Sequence, residues 1–149
     1  MTSPTVFTSR TARFDLPLLF AGQAQKEFTV NEAFSRIASL LHPLVEGEAS
    51  TPPGDPDEGQ SWLVGSSPTG DWAGYEEAIA SWSANDWLFI LPQRGLKCFD
   101  AATGATLSYD GGWNRPALPD APTGGTTRDT EARAAIADLI SALQTAGIA

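Results

Sequence analysis

Ile79-Ala80-Ser81-Trp82-Ser83-Ala84-Asn85-Asp86-Trp87-Leu88-Phe89-Ile90-Leu91 reads as a β-hairpin. Two runs rich in β-branched and aromatic residues flank Ser83-Ala84-Asn85-Asp86, a short polar turn. Working outward, Trp62-Leu63-Val64 precedes it as a further strand, and Lys97-Cys98-Phe99 and Thr106-Leu107-Ser108-Tyr109 follow, separated by the turn Ala102-Thr103-Gly104. Asp110-Gly111-Gly112 then turns the chain into Trp113. Trp82/Trp87 and Tyr109/Trp113 each place an aromatic on both sides of a short polar turn, as two meander units of one small antiparallel sheet would. Upstream, Thr51-Pro52-Pro53-Gly54-Asp55-Pro56 is a stiff, extended approach to the sheet.

Helical signals flank this centre. Val30, Ala33, Phe34, Ile37, Leu40, Leu41 and Leu44 recur at spacings of three and four, the stripe of an amphipathic helix. Thr29-Val30-Asn31-Glu32 reads as its capping box, and His42-Pro43 as its end, since proline disfavours helix in the residue before it. Ahead of it lie an apolar segment, residues 14–20, and a loop or short helix, residues 21–27. At the other end Pro116 to Thr127 is rich in Pro, Gly and Thr. Asp129 then caps a second helix, with Glu131 near its positive end and Gly147 as its stop. Within it Ala132, Ile136, Leu139, Leu143 and Ala146 alternate at four and three, a heptad seam. A helix this short is marginal alone in water and must dock on the β-zone or on copies of itself. Behind a flexible linker, self-association through Ile136, Leu139 and Leu143 is the expectation, most simply as a trimer.

The expected class is therefore α+β. Residues 1–45 form an N-terminal segment and amphipathic helix, and 46–116 a small antiparallel β domain. Residues 117–128 are a linker, and 129–149 a coiled-coil-like oligomerisation helix. The 149 residues can bury a real core without disulfides, and 42% hydrophobic residues with five Trp exclude disorder. Fourteen Gly and eleven Pro mean that helix is not expected to dominate.

Charge and side-chain inventory exclude several function classes. The net charge is −9, and residues 46–120 alone account for it, with three basic against twelve acidic side chains. Such a surface repels phosphate backbones, so nucleic acid is not an expected partner. Neutral partners, sugars or other proteins, suit it better. The start, Met1-Thr2-Ser3-Pro4, lacks the pattern of a signal peptide, and no run reaches the ~20 apolar residues of a membrane span. The expectation is synthesis in a bacterial cytoplasm without membrane insertion. Cys98 is the only cysteine and sits in an apolar strand context, where a thiol behaves as a small buried hydrophobe.

His42 is the only histidine, so triads and metal sites built on histidine lack material. Gly65-Ser66-Ser67-Pro68-Thr69-Gly70 has the glycine spacing of a phosphate loop, but Asp71-Trp72 follows where Lys and Ser/Thr are required. Asp55, Asp57 and Glu58 lack the remaining ligands of a calcium loop. Glu76, Glu77, Asp100 and Asp110 are the acids available for sugar hydrolysis, yet a β-zone this small hardly builds a cleft that distorts a sugar. No catalysis, metal or cofactor is expected; a depolymerase is the enzyme rival. The aromatics Trp72, Tyr75, Trp82, Trp87 and Trp113 lie near Gly, Asp or Asn, a setting that neutral sugars use. Trp82 and Trp87 read as core, and Trp72 and Tyr75, in the Gly-bounded loop Gly70-Asp71-Trp72-Ala73-Gly74-Tyr75, read as exposed. The candidate glycan patch is Trp72, Tyr75, Trp82 and Trp113.

One resemblance is specific. Leu16-Pro17-Leu18-Leu19, Ala21-Gly22-Gln23-Ala24-Gln25-Lys26-Glu27 and Asn31-Glu32-Ala33 resemble the opening of an uncharacterised family in bacterial phages, prophages and gene transfer agents. Pro52-Pro53, Glu58-Gly59, Gly70-Asp71-Trp72-Ala73-Gly74, Ile79-Ala80-Ser81-Trp82 and Trp87 follow in that family's order. The final Leu139-Ile140-Ser141-Ala142-Leu143 with Gly147-Ile148-Ala149 is similar to the ending of many fibre and tail proteins. The likeness covers roughly residues 14–115 and implies a virion structural role in tail fibres or other appendages that touch the host, with no catalytic residues to carry over. Many relatives carry a long receptor-binding region after this domain, and family members often have Gly-His where this chain has Gly74-Tyr75. The resemblance thus implies a virion protein, a fibre or spike component or an adaptor for another fibre protein; a stand-alone polysaccharide-binding module, read from the aromatics, is the other alternative. Its partners would be its own copies, other virion or baseplate proteins, and host surface polysaccharide.

Overall fold

The computed structural model describes residues 10, 11, 13, 14, 16–19, 22, 24–125 and 129–148. The opening Met1-Thr2-Ser3-Pro4 and parts of the 14–20, 21–27 and linker segments lie outside the described residues. Among the described residues the elements are helix α1 (Lys26–Leu41), strands β1 (Leu44–Val45), β2 (Glu48–Ala49), β3 (Ser61–Val64), β4 (Ile79–Ser83), β5 (Asp86–Ile90), β6 (Lys97–Asp100), β7 (Ala105–Tyr109) and β8 (Trp113–Asn114), and helix α2 (Thr130–Thr145). A single 3-10 turn, Gly70–Trp72, lies between β3 and β4. The class is α+β.

The expected single sheet is in fact two. One has the order β1-β6-β7-β8 and the other β2-β3-β4-β5. Each begins with a two-residue parallel strand: β1 on β6 and β2 on β3. Chain segments this short carry no alternation for a sequence reading to find. The two aromatic pairs face one another across strands, Trp82 opposite Trp87 and Tyr109 opposite Trp113, but in different sheets. The β4–β5 turn has two residues, Ala84 and Asn85, at φ 55 and 60, the double positive φ that suits the twist of a two-residue hairpin. Both carboxylate oxygens of Glu58 accept the Ala84 N–H, at 2.9 and 3.1 Å. Glu58 thus clamps the turn.

Alternation sorts each strand between two apolar layers. Val45, Leu63, Ile79, Ile90, Leu96, Cys98 and Leu107 form the core between the sheets. The opposite face of β3–β5 carries the second cluster, in which Val64, Trp72, Ala78 and Ala80 are buried with Ala49, Trp62, Trp87 and Phe89 around them.

Helix α1 ends where His42-Pro43 predicts, but it starts a turn early. Its N-cap is Gln25 at φ 54, and no side chain caps it. Thr29 thus lies inside the helix rather than at its N-cap, and Glu32 accepts from Arg36 Nε at 3.0 Å and Arg10 Nη1 at 3.1 Å. Partial burial works against ionisation of Glu32, yet the two guanidinium groups outweigh it and hold the carboxyl below its usual range. The helix is also turned. Ser39 donates to Ser81 Oγ at 3.2 Å, Ser83 to Ser35 Oγ at 3.4 Å, and Arg36 to the edge carbonyl of Phe89 at 3.1 Å. No residue of α1 is buried. Leu40 packs on the core, while Phe28, Phe34 and Leu41 remain 63–69% exposed.

Helix α2 is capped as expected, with Asp129 accepting from Ala132 N at 2.9 Å. It ends at Gly147, φ +64, whose carbonyl accepts the Thr106 N–H at 2.8 Å. A β-carbon on Gly147 would stand 3.1 Å from the Phe99 ring, so the helix foot rests on β6 and β7. No α2 residue is buried. Arg133 reaches back to the Pro122 and Gly124 carbonyls at 2.7 and 2.5 Å, tying down the linker.

Cys98 is buried. Burial pushes its thiol up to about 11 from an ordinary 9.0, the Asp100 carboxylate adding to the rise and Arg115 opposing it. A folded-state value above the unfolded one favours the protonated native form, so this contribution is complete below about pH 9 and is lost as pH rises towards 11. Tyr109, raised by its hydrogen bond to Glu77, acts in the same direction at higher pH. The expected result is a melting temperature that falls between pH 8.5 and 10.5, and falls less in Cys98→Ala. Equal slopes in the two proteins would rule the thiol out as the cause.

Candidate functional site

Four residues form the aromatic patch expected from sequence, and the fold separates them. Trp72 is a correction: it is fully buried, at 0% exposure. The Gly70–Trp72 turn folds back over β3–β5, where Ala78 and Ala80 leave room for an indole. There Trp72 meets Trp87 edge-on at 5.1 Å and Trp62 at 6.5 Å. Its Nε1 is buried without a hydrogen-bond partner among the described residues. Tyr75 is 39% exposed and lies flat on Phe89, with ring centres 3.7 Å apart. Trp82, half-buried, leans edge-on against Trp87 at 4.9 Å. These three gather around Trp87 and Phe89, whereas Trp113 stands elsewhere.

Tyr75, Trp87 and Phe89 line a hollow of about 420 Å³ with Arg13, Arg36 and Phe14. Its polar capacity is partly committed. Arg36 is held by Glu32 and the Phe89 carbonyl, and the Arg13 guanidinium lies 4.8 Å over the Phe14 ring.

Trp113 lines a larger cleft of about 600 Å³ between the two sheets, with Glu48, Gly65, Glu76, Glu77 and Arg115 among its walls. Glu77 joins the sheets. Its carboxylate accepts the Tyr109 hydroxyl at 3.0 Å and its carbonyl accepts the Trp113 Nε1–H at 2.8 Å. The residue itself sits at φ +65, a costly conformation for a side chain with a β-carbon. Tyr109 braces Trp113 edge-on at 5.3 Å. Arg115 forms an ion pair with Glu48 across the mouth. Gly65 is the close approach: a β-carbon there would lie 2.9 Å from Glu48 Oε1 and from Ser50 Oγ. Glu76 and Glu77 were visible as an acid pair, but Glu48, Gly65 and Arg115 carry no local signal that would join them.

Among the described residues no group of three or more His, Cys, Asp or Glu is placed to hold a metal ion, and no helix is long and apolar enough to cross a membrane. Ile136 and Leu139 of the expected seam are exposed, at 42% and 60%, and Leu143 is half-buried. No curated protein matches the chain. The model of the family described as protein of unknown function (DUF2793) matches residues 30–114, from within α1 to the last residue of β8. That is more than half of the sequence, and the chain belongs to that family.

Proposed function

We propose that this protein is a non-enzymatic, homo-oligomeric structural component of a phage-like particle, in a tail fibre or spike that attaches to the host surface. The observation that carries the assembly part is α2. A capped helix with no buried residue, and with Ile136 and Leu139 open to solvent, gains stability by pairing its seam with other copies. The ordered motifs of residues 14–115 support the particle part. Assembly would multiply weak contacts between each β-lobe and one surface.

Light scattering of the intact chain beside a form truncated after Pro122 tests this. A trimer that becomes a monomer on truncation is the expected result, and a monomeric intact chain at micromolar concentration counts against it. A second reading, an adaptor that anchors another fibre protein, rests on the uncovered Phe28, Phe34 and Leu41 of α1. It predicts a stable complex with another particle protein that charged substitutions on that face abolish.

A further inference from the structure

We infer that the inter-sheet cleft bounded by Glu48, Glu77 and Trp113 is a binding site for an uncharged pyranose of a surface polysaccharide. The inference rests on the attachment reading and names the ligand class and the residues. A cleft of about 600 Å³ is within the roughly 300–1,000 Å³ range of small-molecule sites. It combines what a neutral sugar needs: an aromatic ring for its C–H face, carboxylates that accept from hydroxyls, and a guanidinium that donates to them.

Charge selects among sugars. Glu48, Glu76 and Glu77 face one cation, Arg115, so the cleft is net acidic and disfavours uronates, sulfates and phosphates. The groups are also held before any ligand arrives. Trp113 is fixed by its N–H to the Glu77 carbonyl and by Tyr109 at its edge, and the Glu77 carboxylate is fixed by the Tyr109 hydroxyl. Ser50 donates to the Ser66 carbonyl at 2.8 Å and holds the loop beside Gly65. Groups immobilised beforehand lose little freedom on binding. Glu76 differs from the rest: it is exposed, and its carboxylate has no hydrogen bond or ion pair among the described residues, so the fold there does not rest on its charge.

That difference supplies the test. Saturation-transfer NMR and calorimetry on the full chain would use maltotetraose, cellotetraose, mannotetraose and chitotetraose, with oligogalacturonate as the charged counterpart. At least one neutral oligosaccharide is expected to bind and oligogalacturonate is not. Trp113→Ala and Glu76→Gln are each expected to weaken binding about tenfold or more. Trp113 also packs on the core, so its variant can lose stability. Glu76→Gln has no such route and is to be read at unchanged melting temperature. No binding by any neutral oligosaccharide, full affinity in Glu76→Gln, or preference for oligogalacturonate overturns the inference. Light scattering of the same samples separates the two readings. A trimer that binds no sugar leaves assembly standing and reduces the cleft to an inter-sheet latch, and a monomer that binds sugar does the reverse.

Discussion

A Trp72→Ala chain is expected to lose about 3–5 kcal/mol of stability, the usual cost of truncating a buried Trp. Urea denaturation followed by tryptophan fluorescence measures it. The size of the effect follows from where the ring sits. Trp72 is fully buried beside Trp62 and Trp87 and on Ala78 and Ala80, two alanines too small to fill the space it leaves. Its backbone belongs to a turn closed on itself, with Trp72 N–H donating to Thr69, Ala73 to Gly70 and Tyr75 to Trp72. Removing the ring therefore also releases the loop that covers this face. Trp72→Phe separates the contributions. The smaller ring loses contact area but removes a buried N–H that has no partner among the described residues, and leaving such a donor unpaired costs about 1–3 kcal/mol. Trp72→Phe is expected within about 1.5 kcal/mol of the parent, as for other conservative core changes. A loss under about 1 kcal/mol in Trp72→Ala would show that the turn does not need its anchor.

The same residue marks where a sequence reading ends. Gly70-Asp71-Trp72-Ala73-Gly74-Tyr75 has every local sign of an exposed loop. What buries Trp72 is a surface on strands elsewhere in the chain, made hollow by Ala78 and Ala80, and nothing within the loop reports it. Local information did suffice for the β4–β5 hairpin and for α2, since a two-residue turn and an Asp cap act within a few residues. Helix α1 is intermediate. Its extent is close to that read from the three–four stripe, but its orientation is not, because Ser81 and Ser83 on β4 offer hydroxyls to Ser39 and Ser35. Polar pairing there leaves Phe34 and Leu41 outward. The cleft is hardest to see: Glu48, Glu77 and Trp113 meet only after two two-residue strands have placed the chain in separate sheets. Register of that kind has no periodicity to read.

In the trimer proposed above, Leu139→Asp is expected to leave only monomers at micromolar concentration. Leu139 is 60% exposed at the centre of the α2 seam, with Ile136 one turn before it and Leu143 one turn after. Burying one such side chain contributes about 1.5–3 kcal/mol, and a symmetric trimer loses that three times over while gaining three desolvated carboxylates at one level. The helix should then fray, because 16 residues without a partner are marginal in water even with a good cap. Far-UV circular dichroism would record that loss, while the Trp72–Trp87 cluster keeps its near-UV signal, since α2 rests on β6 and β7 through Gly147 and not on the aromatic face. Ala134→Asp adds the same charge away from the seam and is expected to leave the assembly intact. If both substitutions dissociate it, total charge rather than the seam governs association. If neither does, the contact between copies lies elsewhere, and the open face of α1, with Phe28, Phe34 and Leu41, becomes the surface to substitute next.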